Sequence, residues 1–219
     1  MYQNKVTSVI INYQTPELTL EAGSSLKNIY PDLKLILIDN GSNDDSVEQL
    51  QKLSNHFDYI KFITNKKNLH HGPAMHQAIL LSDTDYLLFI DSDCKVLKGG
   101  FIEEMLNMLE HDDSNYAIGE IVYLNKRGFL TDDRASGYPY IRPICMMLKR
   151  AHYLDLKPFQ KHGAPCLENM QNALENGLKL INFNLNQYIF HLGRGTASKY
   201  GYNLGILGKL NYLLNKLKL

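Results

Sequence analysis

A chain of 219 residues is long enough for one sizeable α/β domain with its own core and short for two. Apolar residues at 44% and charged residues at 21% are ordinary for a globular protein. Its 23 basic residues balance 23 acidic ones, so nothing builds the positive field that nucleic-acid binding needs, and no nucleic-acid partner is expected.

The first half alternates strand and helix patterns. Val6–Asn12 is apolar and β-branched, and Pro16 then suits the first turn of a helix whose buried side includes Leu18, Leu20, Ala22 and Leu26. Leu33–Ile38 predicts a second strand that ends at Asp39. Asn40-Gly41-Ser42-Asn43 is a turn cluster, and Asp44 or Asp45 caps a helix running through Leu53. Tyr59–Thr64 reads as a third strand and Pro73–Leu81 as a helix. Tyr86–Ile90 is fully apolar, as expected of a strand buried on both faces, and Asp91-Ser92-Asp93 follows it directly. Gly99-Gly100 precedes a helix over Phe101–Glu110. The second half is less regular. Tyr116–Leu124 and Pro143–Leu148 read as strands, with the Gly-, Asp- and Arg-rich stretch Asn125–Tyr140 between them as a mobile loop. Leu167–Glu175 reads as a helix stopped by Gly177, and Leu180–Phe183 and Tyr188–Leu192 as strands.

Strand-helix alternation implies a mostly parallel central sheet flanked by helices, built from right-handed crossovers. Ligands bind such sheets beyond the carboxyl ends of the strands. Three polar clusters fall there: Asn12-Tyr13, Asp39-Asn40-Gly41-Ser42 and Asp91-Ser92-Asp93. No internal repeat or linker divides the chain, so residues 1–198 read as one α/β domain. Residues 199–219 read as an amphipathic tail, with Leu204, Leu207, Leu210, Leu214 and Leu217 at near-helical spacing beside Lys209, Lys216 and Lys218. Such a tail packs on the domain, forms a homo-oligomer contact or lies on an anionic membrane surface. Cys94, Cys145 and Cys166 are odd in number and widely spaced, which reads as free thiols in a reducing compartment. With no leader pattern in Met1–Ile11 and no apolar run of roughly 20 residues, a cytoplasmic location is expected, the inner face of the membrane included.

Asp91 and Asp93 are two carboxylates aimed into one crevice, where they repel each other if left alone. A hard divalent cation resolves that conflict, and oxygen ligands with an attached diphosphate suit Mn2+ or Mg2+. The tripeptide alone is a weak signal; its place after the fourth strand pattern strengthens it.

Five segments in order carry a resemblance: VIINYQTPELTLEAGSSL, LKLILIDNGSNDDSVEQL, NKKNLHHGPAMHQAI, YLLFIDSDCKVLKGGFIEEML and IFHLGRGTAS. Together, from Val6 to Ser198, they resemble family-2 glycosyltransferases of the GT-A fold. The resemblance implies a metal-dependent, inverting transferase that moves a sugar from a UDP- or dTDP-type donor to a glycan, lipid-linked or protein acceptor, in polysaccharide or other glycan biosynthesis. It implies that Asn12 and Tyr13 line the nucleotide pocket, that Asp39 accepts a hydrogen bond from the base, and that Ser42 in the following turn helps close the pocket. His70 and His71 fall where the family places donor contacts. Asp91 faces the ribose or a metal-bound water, Ser92 lies between the two acids, and Asp93 binds the metal. His191 completes the metal or diphosphate site, imidazole suiting Mn2+ better than Mg2+. Arg194 is placed to hold the leaving diphosphate through its fork of donors.

The family's acidic pair at a helix start matches Cys166-Leu167-Glu168-Asn169, so Glu168 is the candidate general base. Asn169 replaces the second acid, the position the family most often uses. That leaves Asp132, Asp133 and Asp155 as other candidates, and impaired turnover as another outcome. The Asn125–Tyr140 loop is expected to order over the donor and exclude water. Two rival readings stand beside the transferase: a catalytically impaired sugar-nucleotide binder, and a sugar-phosphate nucleotidyltransferase. The second lacks a glycine-rich loop after the first strand, where Asn12-Tyr13-Gln14-Thr15-Pro16 holds no glycine.

Overall fold

Four apolar, β-branched runs form the parallel strands β1 (Val6–Asn12), β2 (Lys34–Asp39), β3 (Ile60–Thr64) and β4 (Tyr86–Ile90) in a computed structural model describing residues 2–160 and 164–193. The crossovers between them carry α1 (Pro16–Ile29), α2 (Ser46–His56) and α3 (His71–Leu81). The chain continues through β5 (Cys94–Val96), α4 (Phe101–Glu110), β6 (Asn115–Leu124), β7 (Tyr138–Lys149), α5 (Arg150–Leu154), α6 (Leu167–Glu175), β8 (Lys179–Asn182) and β9 (Ile189–His191). Seven strands form one sheet in the order β3-β2-β1-β4-β7-β6-β8, in which β7 alone runs against its neighbours. The strands β5 and β9 pair antiparallel as a separate ribbon.

Side chains alternate across a strand, so each run feeds two cores. Leu35 and Leu37 of β2 and Leu88 and Ile90 of β4 pack with Leu26, Leu50, Phe101 and Met105 from α1, α2 and α4. Ile36, Ile38, Leu87 and Phe89 face the other way, onto Met75, Ala78, Tyr153 and Met170 from α3, α5 and α6. Helices thus cover both faces of a mostly parallel sheet, the architecture expected from the alternation. Each fully buried Leu or Ile contributes about 1.5–3 kcal/mol, which is why strands buried on both faces read as continuous apolar runs.

Several elements differ from their predicted bounds. The third helix starts at His71, two residues before Pro73, because a proline in the first turn lacks only an N–H that has no partner there. The strand β7 starts at Tyr138 rather than Pro143, so it takes up the end of the predicted loop. The rest of that loop is a closed turn. The Asn125 N–H donates to Phe129 O at 2.8 Å, the Thr131 N–H to Tyr123 O at 2.9 Å, and Gly128 takes a left-handed φ of 79°. Both β5 and α5 were unsignalled, being too short to show a period.

One irregularity matters for the site. Ile121 faces Ile141 and Gly119 faces Met146, so β7 spends Arg142, Pro143, Ile144 and Cys145 where β6 has Glu120 alone. Pro143 has no N–H for a ladder, which favours a bulge at this point. The expected tail at 199–219 and Arg194 lie outside the described residues. Among the described residues no helix is long and apolar enough to cross a membrane. The three cysteines are unbridged and buried.

Candidate functional site

The carboxyl ends of β1 and β2 meet at one hydrogen-bonded knot. Asn12 and Asp39 are register partners. The Asp39 carboxylate accepts from Asn12 Nδ2 at 2.8 Å, from the Ser42 N–H at 3.0 Å and from Ser42 Oγ at 2.6 Å. Asn12 Oδ1 in turn accepts from Thr19 Oγ1 at 2.8 Å and from the Thr15 N–H at 3.3 Å. Asn12 is 0% exposed and Asp39 1% exposed. Asn12, expected to line the nucleotide pocket, is thus shielded from solvent, with both ends of its amide hydrogen-bonded. Tyr13 and Ser42 are the half-buried members that offer surface there.

The turn after Asp39 is fastened to the segment before α3. Gly41 has φ 78°, and a Cβ on it would lie 2.3 Å from the Lys67 carbonyl carbon, so only glycine fits without displacing backbone. Asn40 Oδ1 accepts from Asn65 Nδ2 at 3.0 Å and from the Leu69 N–H at 3.2 Å, while Asn40 Nδ2 donates to Asn68 Oδ1 at 3.1 Å. Asn40 was read as part of the turn, whereas Asn65 and Asn68, at the head of the segment NKKNLHHGPAMHQAI, were not singled out. His70 stands at the N-cap of α3 with φ 71° and ψ 165°, a region glycine prefers.

Asp91 leaves β4 with its N–H bonded to Ile144 O of the β7 bulge at 2.9 Å. His71 Nε2 faces Asp91 Oδ1 at 3.6 Å. His191 Nε2 lies 3.1 Å from Asp93 Oδ1. The β5–β9 ribbon makes that contact: Cys94 is opposite His191, and the Leu192 N–H donates to Asp93 O at 3.0 Å. Ser92 is buried between the two acids. Burial pushes the Asp91 carboxyl above the ordinary range; His71 opposes this, Asp93 adds to it, and His191 and Arg142 oppose it. The bond to Asp93 lifts the His191 pKa above the usual histidine value, against burial.

A carboxylate and an imidazole converge here, Asp93 Oδ1 and His191 Nε2 at 3.1 Å, and the Asp91 charge acts on His191 through space; oxygen and imidazole donors of this kind suit a divalent cation of the Mn2+ or Mg2+ class. Cys94 Sγ lies within 4.8 Å of the Asp93 and His191 ligand atoms. It is a poor ligand: burial and then Asp91 push its thiol well above the usual range, and it donates to Ile144 O at 3.4 Å. A cavity of about 250 Å³ opens beside Asp93, walled by Leu18, Glu21, Lys95 and Phe190. A larger depression of about 460 Å³ lies at the opposite, amino-terminal edge of the sheet near Thr7, Lys34 and Ile60, away from these groups.

Glu168, the second residue of α6, is exposed. Its neighbour Asn169 is 0% exposed: Oδ1 accepts from the Tyr116 hydroxyl at 2.6 Å and Nδ2 donates to Lys157 O at 2.7 Å. Cys166, the N-cap of α6, has its thiol raised by burial, against a hydrogen bond to Tyr140, and raised further by the charge of Asp91; this places the start of α6 near the acidic turn. The Asp133 carboxylate is held below its ordinary range by hydrogen bonds from Ser136 and Ala135. Asp155 caps α5, which starts beside Asp85 at the amino end of β4, opposite Asp91. Asp132 is exposed on the 125–137 turn. Arg142 and Glu120, which pair at the bulge at 3.1 Å, were not singled out in the sequence.

Glycosyl transferase family 2 matches residues 7–167. An uncharacterized glycosyltransferase of Haemophilus influenzae is 27% identical over 143 residues, 64% of this chain and 44% of its own length. A cholesterol galactosyltransferase of Borreliella burgdorferi is 27% identical over 117 residues, 52% of this chain and 32% of its own. The chain therefore spans less than half the length of either relative. Among solved structures, a mannosyltransferase from Pyrobaculum calidifontis in complex with GDP-Man and Mn2+ superposes with a TM-score of 0.67 at 13% identity, covering 96% of this chain and 64% of that one. TarS of S. aureus gives 0.60 at 15% identity, covering 85% and 36%.

Proposed function

The chain belongs to glycosyl transferase family 2 and has the GT-A fold, and from that premise we propose that it transfers a sugar from a nucleoside-diphosphate sugar to an acceptor hydroxyl with inversion. The observation that carries the reading is the Asp93–His191 contact at 3.1 Å, at the same sheet edge as Asp91 and the Asp39 turn. Asp93 and His191, with Asp91, would hold Mn2+ or Mg2+, which supplies Lewis-acid neutralisation of the leaving diphosphate.

The chain's own residues do the rest. The Asp39–Ser42 knot, backed by Asn12, shapes the floor of the base pocket, and Tyr13 and Ser42 face the nucleoside. His70 and His71 contribute donors at the start of α3. Glu168 takes the acceptor's proton as the acceptor oxygen attacks the anomeric carbon from the face opposite the diphosphate, whose bond to that carbon breaks. The donor is read as a UDP- or dTDP-sugar, and the acceptor as a glycan, lipid-linked or protein hydroxyl in glycan biosynthesis. The domain is taken to span residues 1–198, with Arg194 at the diphosphate and the tail at 199–219 serving as a docking, oligomer or membrane-surface element.

One observation favours a second reading, a sugar-nucleotide binder without turnover: the buried Asn169 at the position of the second acid. Sugar release from UDP- and dTDP-sugars in the presence of Mn2+ separates the two. Asp93→Ala should lower Mn2+-dependent nucleotide binding and transfer at least about 100-fold, the scale of a lost metal contact worth several kcal/mol. Unchanged metal-dependent binding in this variant overturns the scheme. Turnover by the parent chain that Glu168→Gln abolishes while donor binding persists favours the enzyme over the binder.

A further inference from the structure

The order of strands across the sheet is also an order of chemistry. Going from β2 to β1 to β4, the carboxyl edge presents Asp39, Asn12 and Asp91, and β7 and β6 come next. A nucleoside-diphosphate sugar laid along this edge, base at the Asp39 turn and diphosphate at Asp91 and Asp93, brings its sugar beside β7. This step rests on the reading proposed above.

The strand is not regular at that point. Its bulge over residues 142–145 is tied to the acidic turn: Ile144 O accepts the Asp91 N–H at 2.9 Å and the Cys94 Sγ–H at 3.4 Å. Bulges re-aim side chains next to active sites. Here the re-aimed side chain is Arg142, whose Nη1 donates to Glu120 Oε2 at 3.1 Å, with the two side chains 39% and 44% exposed. Among the described residues this is the guanidinium's one hydrogen bond, so most of its five N–H donors are left for a ligand. Arg142 is also close enough to the acidic turn to act through space on both Asp91 and His191. A half-exposed ion pair adds little to stability, about 0–1 kcal/mol, so stability alone gives no reason for breaking the ladder here.

We propose that Arg142 and Glu120 form the subsite for the transferred sugar, Arg142 donating to its hydroxyl oxygens and Glu120 accepting from its hydroxyl protons. A carboxylate bonded to one guanidinium nitrogen leaves further donors and acceptors side by side, which is what distinguishing one sugar hydroxyl pattern from another requires. The pair therefore selects the sugar, while the Asp39 turn addresses the nucleoside.

The test is calorimetric titration of the parent chain, Arg142→Gln and Glu120→Gln with UDP, dTDP and GDP and with their glucose and mannose conjugates, all with Mn2+. The expected result is that each variant weakens a sugar conjugate about tenfold more than the matching bare diphosphate, the size of one or two lost charge-assisted hydrogen bonds. Arg142→Lys, which keeps the charge and loses the fork, should fall between. The melting temperature of each variant should stay near the parent value, since the pair is half-exposed. Equal weakening of sugar conjugate and bare diphosphate overturns the assignment, because the pair then acts on the nucleotide. Unchanged binding of both overturns it as well. A parent chain that binds no nucleoside diphosphate with Mn2+ overturns the transferase reading, and this subsite with it.

Discussion

Asn169 has both ends of its carboxamide committed, one to the Tyr116 hydroxyl and one to the Lys157 carbonyl. A carboxylate has no donor to give Lys157 O. Asn169→Asp, the change that recreates an acidic pair, should therefore place an unpaired buried charge in the core and cost about 3 kcal/mol, with no gain in turnover. Urea unfolding and a transfer assay on the variant check this; parent-like stability with faster turnover would mean the position opens to the acceptor. Glu168→Gln, one residue earlier and exposed, should leave the unfolding midpoint in place and lower turnover by about 100-fold or more, the usual scale of a lost general base. The sequence made the departure at Asn169 visible but not its meaning, because Tyr116 is 53 residues away along the chain. Gly41 is the opposite case. Asn40-Gly41 was legible as a turn from its residue types, and the φ of 78° explains it. Gly41→Ala should cost about 1–3 kcal/mol from backbone strain, more if Lys67 cannot shift, and should lower the melting temperature accordingly.

At the scale of elements, the site depends on a ribbon that was half legible. Tyr188–Leu192 read as a strand and His191 as a site residue, but its partner β5 is three residues long and shows no period. What the ribbon does is bring His191 from late in the chain onto Asp93. Its last rung is the Leu192 N–H to Asp93 O bond at 3.0 Å. Leu192→Pro removes that donor without disturbing a packed side chain, since Leu192 is exposed, although it also fixes the backbone next to His191. The loss of one peripheral backbone bond should cost about 1 kcal/mol of stability. Mn2+ affinity should fall by about 10-fold, the low end for losing a group that orients a ligand. Metal titration beside thermal melts separates the two effects; affinity that tracks stability alone would show that the rung has no part in holding the pair. The bulge in β7 had an even fainter trace. Pro143 was taken as the start of a strand, whereas it lies inside one, and only the pairing of β7 with both β4 and β6 reveals why the ladder breaks there.

The whole molecule is two cores separated by one sheet, and this was legible because strands covered on both faces leave continuous apolar runs in sequence. Whether the two cores open together is a question its tyrosines can answer. Tyr30 and Tyr86 belong to one core, and Tyr116, Tyr140 and Tyr153 to the other. Burial is the leading cause that raises all five phenol pKa values, with Tyr86 and Tyr153 each pushed up to about 12. A folded pKa above the unfolded value of roughly 10 means that the folded state holds its proton more tightly. The stability this gives is fully present below about pH 10 and is lost as pH rises through the folded values, about 12 for Tyr86 and Tyr153. Stability should therefore decline steeply from about pH 10 upward, and the buried phenols should ionise in one cooperative step with loss of helical circular dichroism. The chain has no tryptophan among its 219 residues, so tyrosinate absorbance reports this without indole interference. Two separated steps would show that one core opens before the other. All tyrosines ionising near pH 10 with the circular dichroism intact would mean that the phenols assigned to the cores are not buried in solution, and the layer arrangement that positions Asp91 between them would fall with that result.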